Sequence, residues 1–221
     1  MAQVSLQEIR ECDRENTLVG LRGWARSLGL STSGDKKTLC RRILGVGEKV
    51  TLPESARKAL YGLQEEPTGY QWGGGIDFEI IHGRAQVERI LAYLGEEGKV
   101  PWRALQKYGR DVEVQFHTHA GQDRAMPSND DLTTFINGNQ QVDFIVAGTE
   151  ILILEKTPAV VPKVSTELIG KALSEFGNVY QPWLQTEHLK AIRDRLKLKT
   201  TLVPRTSNIS FDLGIVRRLG K

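Results

Sequence analysis

The segment from Asp111 to Asp131 constrains this chain more than any other. Val112, Val114 and Phe116 alternate with polar residues, so DVEVQFHTH reads as a β-strand, and it ends in His117 and His119. Side chains two apart on a strand share a face, so both imidazoles are presented together while Thr118 points the other way. Gly121 to Pro127 reads as a loop, and a helix is predicted to begin at or just after Ser128. A strand, a loop and a capped helix in succession call for a chain that mixes strands with helices.

The rest of the sequence agrees with that mixture. Leu18, Leu21, Trp24, Ala25 and Leu28 recur at spacings of three and four, as do Leu39, Cys40, Ile43 and Leu44, and the turn chemistry of Gly29 to Gly34 separates them. Two short helices joined by a tight connection are predicted, with a boundary near residue 48 after Gly45 and Gly47. Pro53 to Gln64 reads as a helix with proline at its start, followed by Pro67 and the glycine run Gly73 to Gly75. Ile76 to Ile81 carries strand signals, whereas Val87, Ile90, Leu91 and Leu94 give Ala85 to Leu94 a helical spacing. Val142 to Glu155 reads as two strands around Ala147-Gly148-Thr149. Residues 165 to 199 carry two helical patterns interrupted near Gly177 to Pro182, and the tail from Thr200 reads as irregular.

Composition narrows the chemistry. A chain of 221 residues, 39% apolar, is long enough for one well-buried core and a small accessory module, divided here as 1–48 and 49–221. No apolar run is long enough to span a bilayer and the N-terminal segment is not that of a secretory signal, so an intracellular protein without a membrane partner is expected. The only two cysteines, Cys12 and Cys40, are far apart and form no C-x-x-C pair; neither a disulfide framework nor a cysteine zinc site is expected. The net charge of +3 is uneven: residues 17–45 carry six Lys/Arg against one Asp (+5) and residues 186–221 nine against three acids (+6), which leaves the remainder acidic. Basic ends of this kind suit a polyanion.

A catalytic zinc takes three protein ligands and keeps one position open for water, so Asp131, beyond the loop, is a suitable third ligand for His117 and His119. A nearby carboxylate would take the proton of the metal-activated water and pass it to a leaving amine, and Glu66 is the candidate. The same residues have plainer readings. Two histidines two apart are common on strand edges, and Ser128-Asn129-Asp130-Asp131 resembles a capping box with Asp in place of the usual Glu or Gln. The two readings are compatible, because a carboxylate fixed at a helix start is well oriented to act as a ligand. His82 and His188 have no partners in sequence and are expected to be solvated or packed.

His117-Thr118-His119 followed by Ser128-Asn129-Asp130-Asp131-Leu132, with Glu66-Pro67-Thr68-Gly69 and Gly73 upstream, resembles the JAMM signature of the JAB/MPN metalloproteases over roughly residues 50 to 160. The resemblance implies an MPN-type α/β (α+β) fold, a mixed sheet flanked by helices, with zinc on His117, His119 and Asp131. It also implies Glu66 as general base and Ser128 as a donor to the developing oxyanion. Ala120 stands where the family usually has proline, and the loop is one residue longer. Asp130 would restore the usual distance from the histidines, but Asp131 keeps the S-x-x-D spacing; Glu65 is the corresponding rival of Glu66.

The stretch TLVGLRGWARSLGLSTSGDKKTLCRRI resembles the SAP motif, a two-helix DNA-binding unit, through Leu18, Leu21, Leu28, Gly29-Leu30, Ser33-Gly34, Lys37, Leu39 and Ile43. The resemblance implies that Lys36, Lys37, Arg41 and Arg42, with Arg22 and Arg26, meet phosphates without reading bases. Three functions follow as expectations. The first is a zinc peptidase or isopeptidase acting on protein or ubiquitin-like conjugates and held on DNA, a pairing that suits a viral or chromatin-associated protein. The second is a non-catalytic MPN scaffold that assembles nucleoprotein. The third, a two-histidine-one-carboxylate iron oxygenase, is disfavoured because such sites usually read H-x-D with a distant histidine.

Overall fold

The computed structural model describes residues 6–28, 32, 35–44, 48–65, 69–81, 84–97, 100, 114–138, 140–157, 159–160, 163–176 and 182–213. Two of its helices are those predicted near the N-terminus. Helix α2 (Leu18–Ser27) is capped by Thr17, whose hydroxyl accepts from the Gly20 N–H, and α3 (Lys36–Ile43) by Asp35, which accepts from the Thr38 N–H. A third, α1 (Leu6–Glu15), precedes them. It packs on α3 and is joined to it by a Cys12–Cys40 disulfide, with Cα atoms 5.7 Å apart. The expectation of two unpaired cysteines is therefore corrected: sequence separation says nothing about distance once two helices pack side by side. Ile9, Leu21, Ala25, Leu39 and Ile43 close around the two sulfurs as a small core.

The main body is a six-stranded mixed sheet with helices on both faces, the mixed α/β architecture expected. Its strands are β2 (Tyr70–Ile81), β3 (Arg84–Glu97), β4 (Val114–Thr118), β5 (Val142–Val146), β6 (Glu150–Lys156) and β7 (Leu198–Pro204), in the order β3-β2-β4-β5-β6-β7. Only the central β4–β5 pair is parallel. A separate two-stranded ribbon joins β1 (Glu48–Thr51) to β8 (Ser210–Leu213). One sheet face, carrying Phe116, Phe144, Ile151 and Ile153, packs with Ala56 and Leu60 of α4 (Glu54–Gln64). The other packs with α5 (Asn129–Asn137), α6 (Thr166–Ala172) and α7 (Gln185–Leu196) through Leu132, Phe135, Ile169 and Ile192. Each fully buried Phe or Leu contributes about 1.5–3 kcal/mol, so burial on both faces makes the sheet centre the most firmly held part of the body. No helix among the described residues is long and apolar enough to cross a membrane.

Two predicted elements are corrected. Ala85 to Leu94 is not helical but lies within β3, hairpinned to β2. Asp77 faces Arg89 while Phe78 faces Val87, so one residue of β3 bulges out of the pairing. The bulge puts Val87 and Ile90, three apart, on the same side, where both pack on the core; this strand imitates helical spacing. The glycine run lies within β2. A Cβ on Gly74 would lie 1.7 Å from the Leu91 carbonyl oxygen and 3.0 Å from the Phe116 ring, so only glycine lets β2 lie between its neighbours. The tail from Thr200 is not irregular over its described part: residues 200–204 complete β7 and residues 210–213 form β8, each stabilised by a partner remote in sequence.

Candidate metal centre

Strand β4 runs between β2 and β5, with His117 opposite Gly73 on one side and Ile145 on the other. Val114 and Phe116 face the α4 side, so alternation turns Gln115, His117 and His119 to the side of α5. His119 lies just past the strand, but its N–H still donates to the Val146 carbonyl at 2.8 Å, which keeps the two imidazoles in step. The loop that follows turns at Gly121, whose φ of +69° favours glycine. The buried Glu150 carboxylate then holds it, accepting from the Ala125 N–H (3.0 Å), Arg124 Nη1 (3.0 Å) and Gln185 Nε2 (2.5 Å). This clamp fixes the loop and delivers the chain to Ser128.

Ser128 caps α5 in a reciprocal capping box. Its Oγ accepts from the Asp131 N–H at 3.1 Å, and Asp131 Oδ2 accepts from both the Ser128 N–H and its hydroxyl at 2.8 Å. The capping and ligand readings are satisfied by the same side chain. Asp131 Oδ1 lies 3.5 Å from His117 Nε2, Asp131 Oδ2 lies 3.6 Å from His119 Nε2, and the two Nε2 atoms are 3.2 Å apart. Ligands about 2.0–2.1 Å from a tetrahedral ion stand roughly 3.3 Å from one another; the two imidazole nitrogens are that close, and each lies near a different oxygen of the Asp131 carboxylate. His117, His119 and Asp131 can hold a metal ion. Both histidines are buried, whereas the Asp131 side chain keeps 24% exposure, so the group meets solvent on the α5 side.

The electrostatics favour a cation at this point. Burial works against a charged imidazole, but Asp131 and then Asp143 overcome it and raise His117 to about 10. Burial likewise opposes an ionised Asp131, yet His117 and then His119 hold it well below the usual carboxylate range. Asp143, missed in the sequence reading, lies on β5 with Oδ1 3.6 Å from His117 Nδ1. The signal for it was present: an acid inside the apolar run VDFIV, a strand whose every residue is buried.

Other predicted site residues fall as follows. Asp130 points away, accepting from Thr166 Oγ1 at 3.0 Å, which decides between the two aspartates in favour of Asp131. Glu65 ends α4 in an ion pair with Arg205, and Glu66 lies outside the described residues. The end of α4 does reach the histidines, since buried Gln64 donates through Nε2 to the His119 carbonyl at 3.5 Å. His188 is packed, stacked on Phe176, and burial lowers its pKa; His82 lies outside the described residues. Of the six basic residues near the N-terminus, Arg22, Arg26 and Lys37 are exposed. Lys36 faces Asp13 at 3.8 Å, Arg41 is half-buried, and Arg42 is buried at 7% exposure.

No family model matches the sequence, and no curated protein matches it.

Proposed function

We propose that this chain is a zinc-dependent metallopeptidase or isopeptidase of the JAMM type, held on DNA by its SAP-like N-terminal helices and acting on a protein or ubiquitin-like conjugate. The observation that carries the reading is the convergence of His117, His119 and Asp131 from a strand end and a capped helix start at ligand spacing. Zinc there would be held by His117, His119 and Asp131 and would supply a water acidified towards neutral pH and a Lewis acid for the scissile carbonyl. Glu66, two residues beyond Gln64 in the sequence, would take that water's proton and return it to the leaving amine. Ser128 brings a hydroxyl beside the ligand set, which would reach a developing oxyanion once it turns from Asp131 Oδ2, the acceptor it now serves. Arg22, Arg26 and Lys37 offer exposed charge for backbone phosphates.

The test is metal analysis of the purified protein alongside His117→Ala and Asp131→Ala. One zinc per chain in the parent and none in either variant is expected; stoichiometric zinc surviving both substitutions overturns the site. Glu66→Gln is expected to keep zinc and lose hydrolysis, and full activity in it would transfer the base role elsewhere. One observation favours a second reading, a non-catalytic scaffold of the same fold: the Ser128 hydroxyl is already donated to Asp131. That reading predicts bound zinc without turnover of any isopeptide-linked substrate. DNA affinity that ignores salt, or that persists without residues 1–46, would remove the nucleic-acid part of the proposal.

A further inference from the structure

The proposed chemistry leaves one buried carboxylate without a role. Asp143 is 0% exposed near the start of β5, between Val142 and Phe144, which pack into the core on the opposite face. Neither of its oxygens has a hydrogen-bond partner. A carboxylate in such a place is strongly destabilising unless a cation or a donor faces it, so its position calls for an explanation. Two groups face it. Lys156, at the end of β6, is close enough to interact with its charge, and its ammonium donates to the Gly138 carbonyl at 2.7 Å and lies over the Phe135 ring. His117 Nδ1 is 3.6 Å from Asp143 Oδ1, on the side of the imidazole opposite Asp131.

The sheet register produces this arrangement. In the parallel β4–β5 pair Asp143 is opposite Gln115 and Ile145 opposite His117, so Asp143 and His117 are diagonal neighbours on one face. The imidazole is thereby bracketed, with one carboxylate at each nitrogen. A ring whose Nε2 is committed to a metal must carry its proton on Nδ1, and Asp143 Oδ1 lies 3.6 Å from that nitrogen. A shift of about 0.7 Å brings the pair to hydrogen-bond length.

We infer that Asp143 is the positioning residue of the metal centre: it accepts the Nδ1–H of His117, fixes the tautomer that leaves Nε2 free to ligate, and with Asp131 balances the two charges of the ion. This rests on the metal reading above and assigns Asp143 no contact with substrate. Histidine ligands commonly donate their second nitrogen to a carboxylate, and removing that partner lowers metal affinity by about 10–100-fold.

The experiment uses the full chain, with zinc as the probe. Competition against a chromophoric chelator gives the zinc dissociation constant of the parent and of Asp143→Asn, which keeps the volume and removes the charge; a weakening of about 10–100-fold is expected. Nitrogen-detected NMR of the zinc-loaded parent, which needs no variant, is expected to show His117 protonated at Nδ1 and ligating through Nε2. An unchanged dissociation constant in Asp143→Asn, even with lowered thermal stability, makes Asp143 merely structural and overturns the inference, as does ligation through Nδ1. Should Asp143→Asn not fold, the tautomer decides. A parent chain that binds no zinc fails the metal reading itself, whereas a parent that binds zinc as tightly as Asp143→Asn fails only this step.

Discussion

The N-terminal helices and the metal centre achieve rigidity in opposite ways. Helices α1, α2 and α3 enclose a small apolar cluster and rely on a covalent link between Cys12 and Cys40. The metal centre has no such link. Its histidines stand at the end of, and just past, a strand buried on both faces, and its aspartate is held by a cap and by a loop clamped on Glu150. A few buried side chains cannot offset the conformational entropy of three helices unaided, so the small unit gains from a cross-link that restricts its unfolded state. A wide sheet with two cores supports an array of charged groups without one.

The comparison can be broken at either region. The largest effect is expected from His117→Ala or Asp131→Ala, which should abolish stoichiometric zinc, exceeding the roughly 100-fold cost of losing an outer partner, while the Cys12–Cys40 link persists. Thiol alkylation with and without reductant, run beside metal analysis, checks both halves. Next is Cys12→Ser, which opens a link spanning 28 residues. The N-terminal helices should lose roughly 3.5 kcal/mol in chemical denaturation, with zinc affinity unchanged. A zinc affinity that falls with the disulfide would show that the two regions do not hold themselves separately.

A graded effect is expected with pH. His117 is raised to about 10 in the metal-free protein, so its contribution to stability is fully present below its unfolded value of about 6.5 and is lost as pH climbs towards 10. Asp131, lowered, contributes above its ordinary range and loses that contribution as pH falls through its folded value. Zinc must displace the His117 proton, so its affinity should rise about tenfold per pH unit between about 6.5 and 9. Chelator competition at several pH values measures this, and a flat profile would mean that the proton is not there. The smallest effect is Ser128→Ala, which removes the cap of α5 and should cost about 1 kcal/mol, with a modest loss of zinc affinity because Asp131 is less firmly oriented.

The segment around the candidate site was legible because its signals are local. Alternation to Phe116, the histidines two apart, the glycine in the loop and the Ser128–Asp131 cap each act within a few residues, and each appears where the chain order places it. Three features were not legible. The bulge in β3 converts strand geometry into helical spacing, and only pairing with β2 separates the two. Helix α1 has little apolar surface, Ile9 and Cys12 among charged residues, so its identity comes from packing on α3. Strand β8 pairs with β1 across more than 150 residues, a contact that no local window contains.

By itself, then, the sequence determined the chemistry available: two imidazoles on one face of a strand and a carboxylate at a helix start, because periodicity and capping are properties of neighbouring residues. The tertiary structure alone decided which aspartate joins the histidines and which turns to Thr166. It also decided that Asp143 stands behind His117 and that the two cysteines meet. Each of these depends on how strands register and helices pack, and such distances are fixed by the whole core rather than by spacing along the chain.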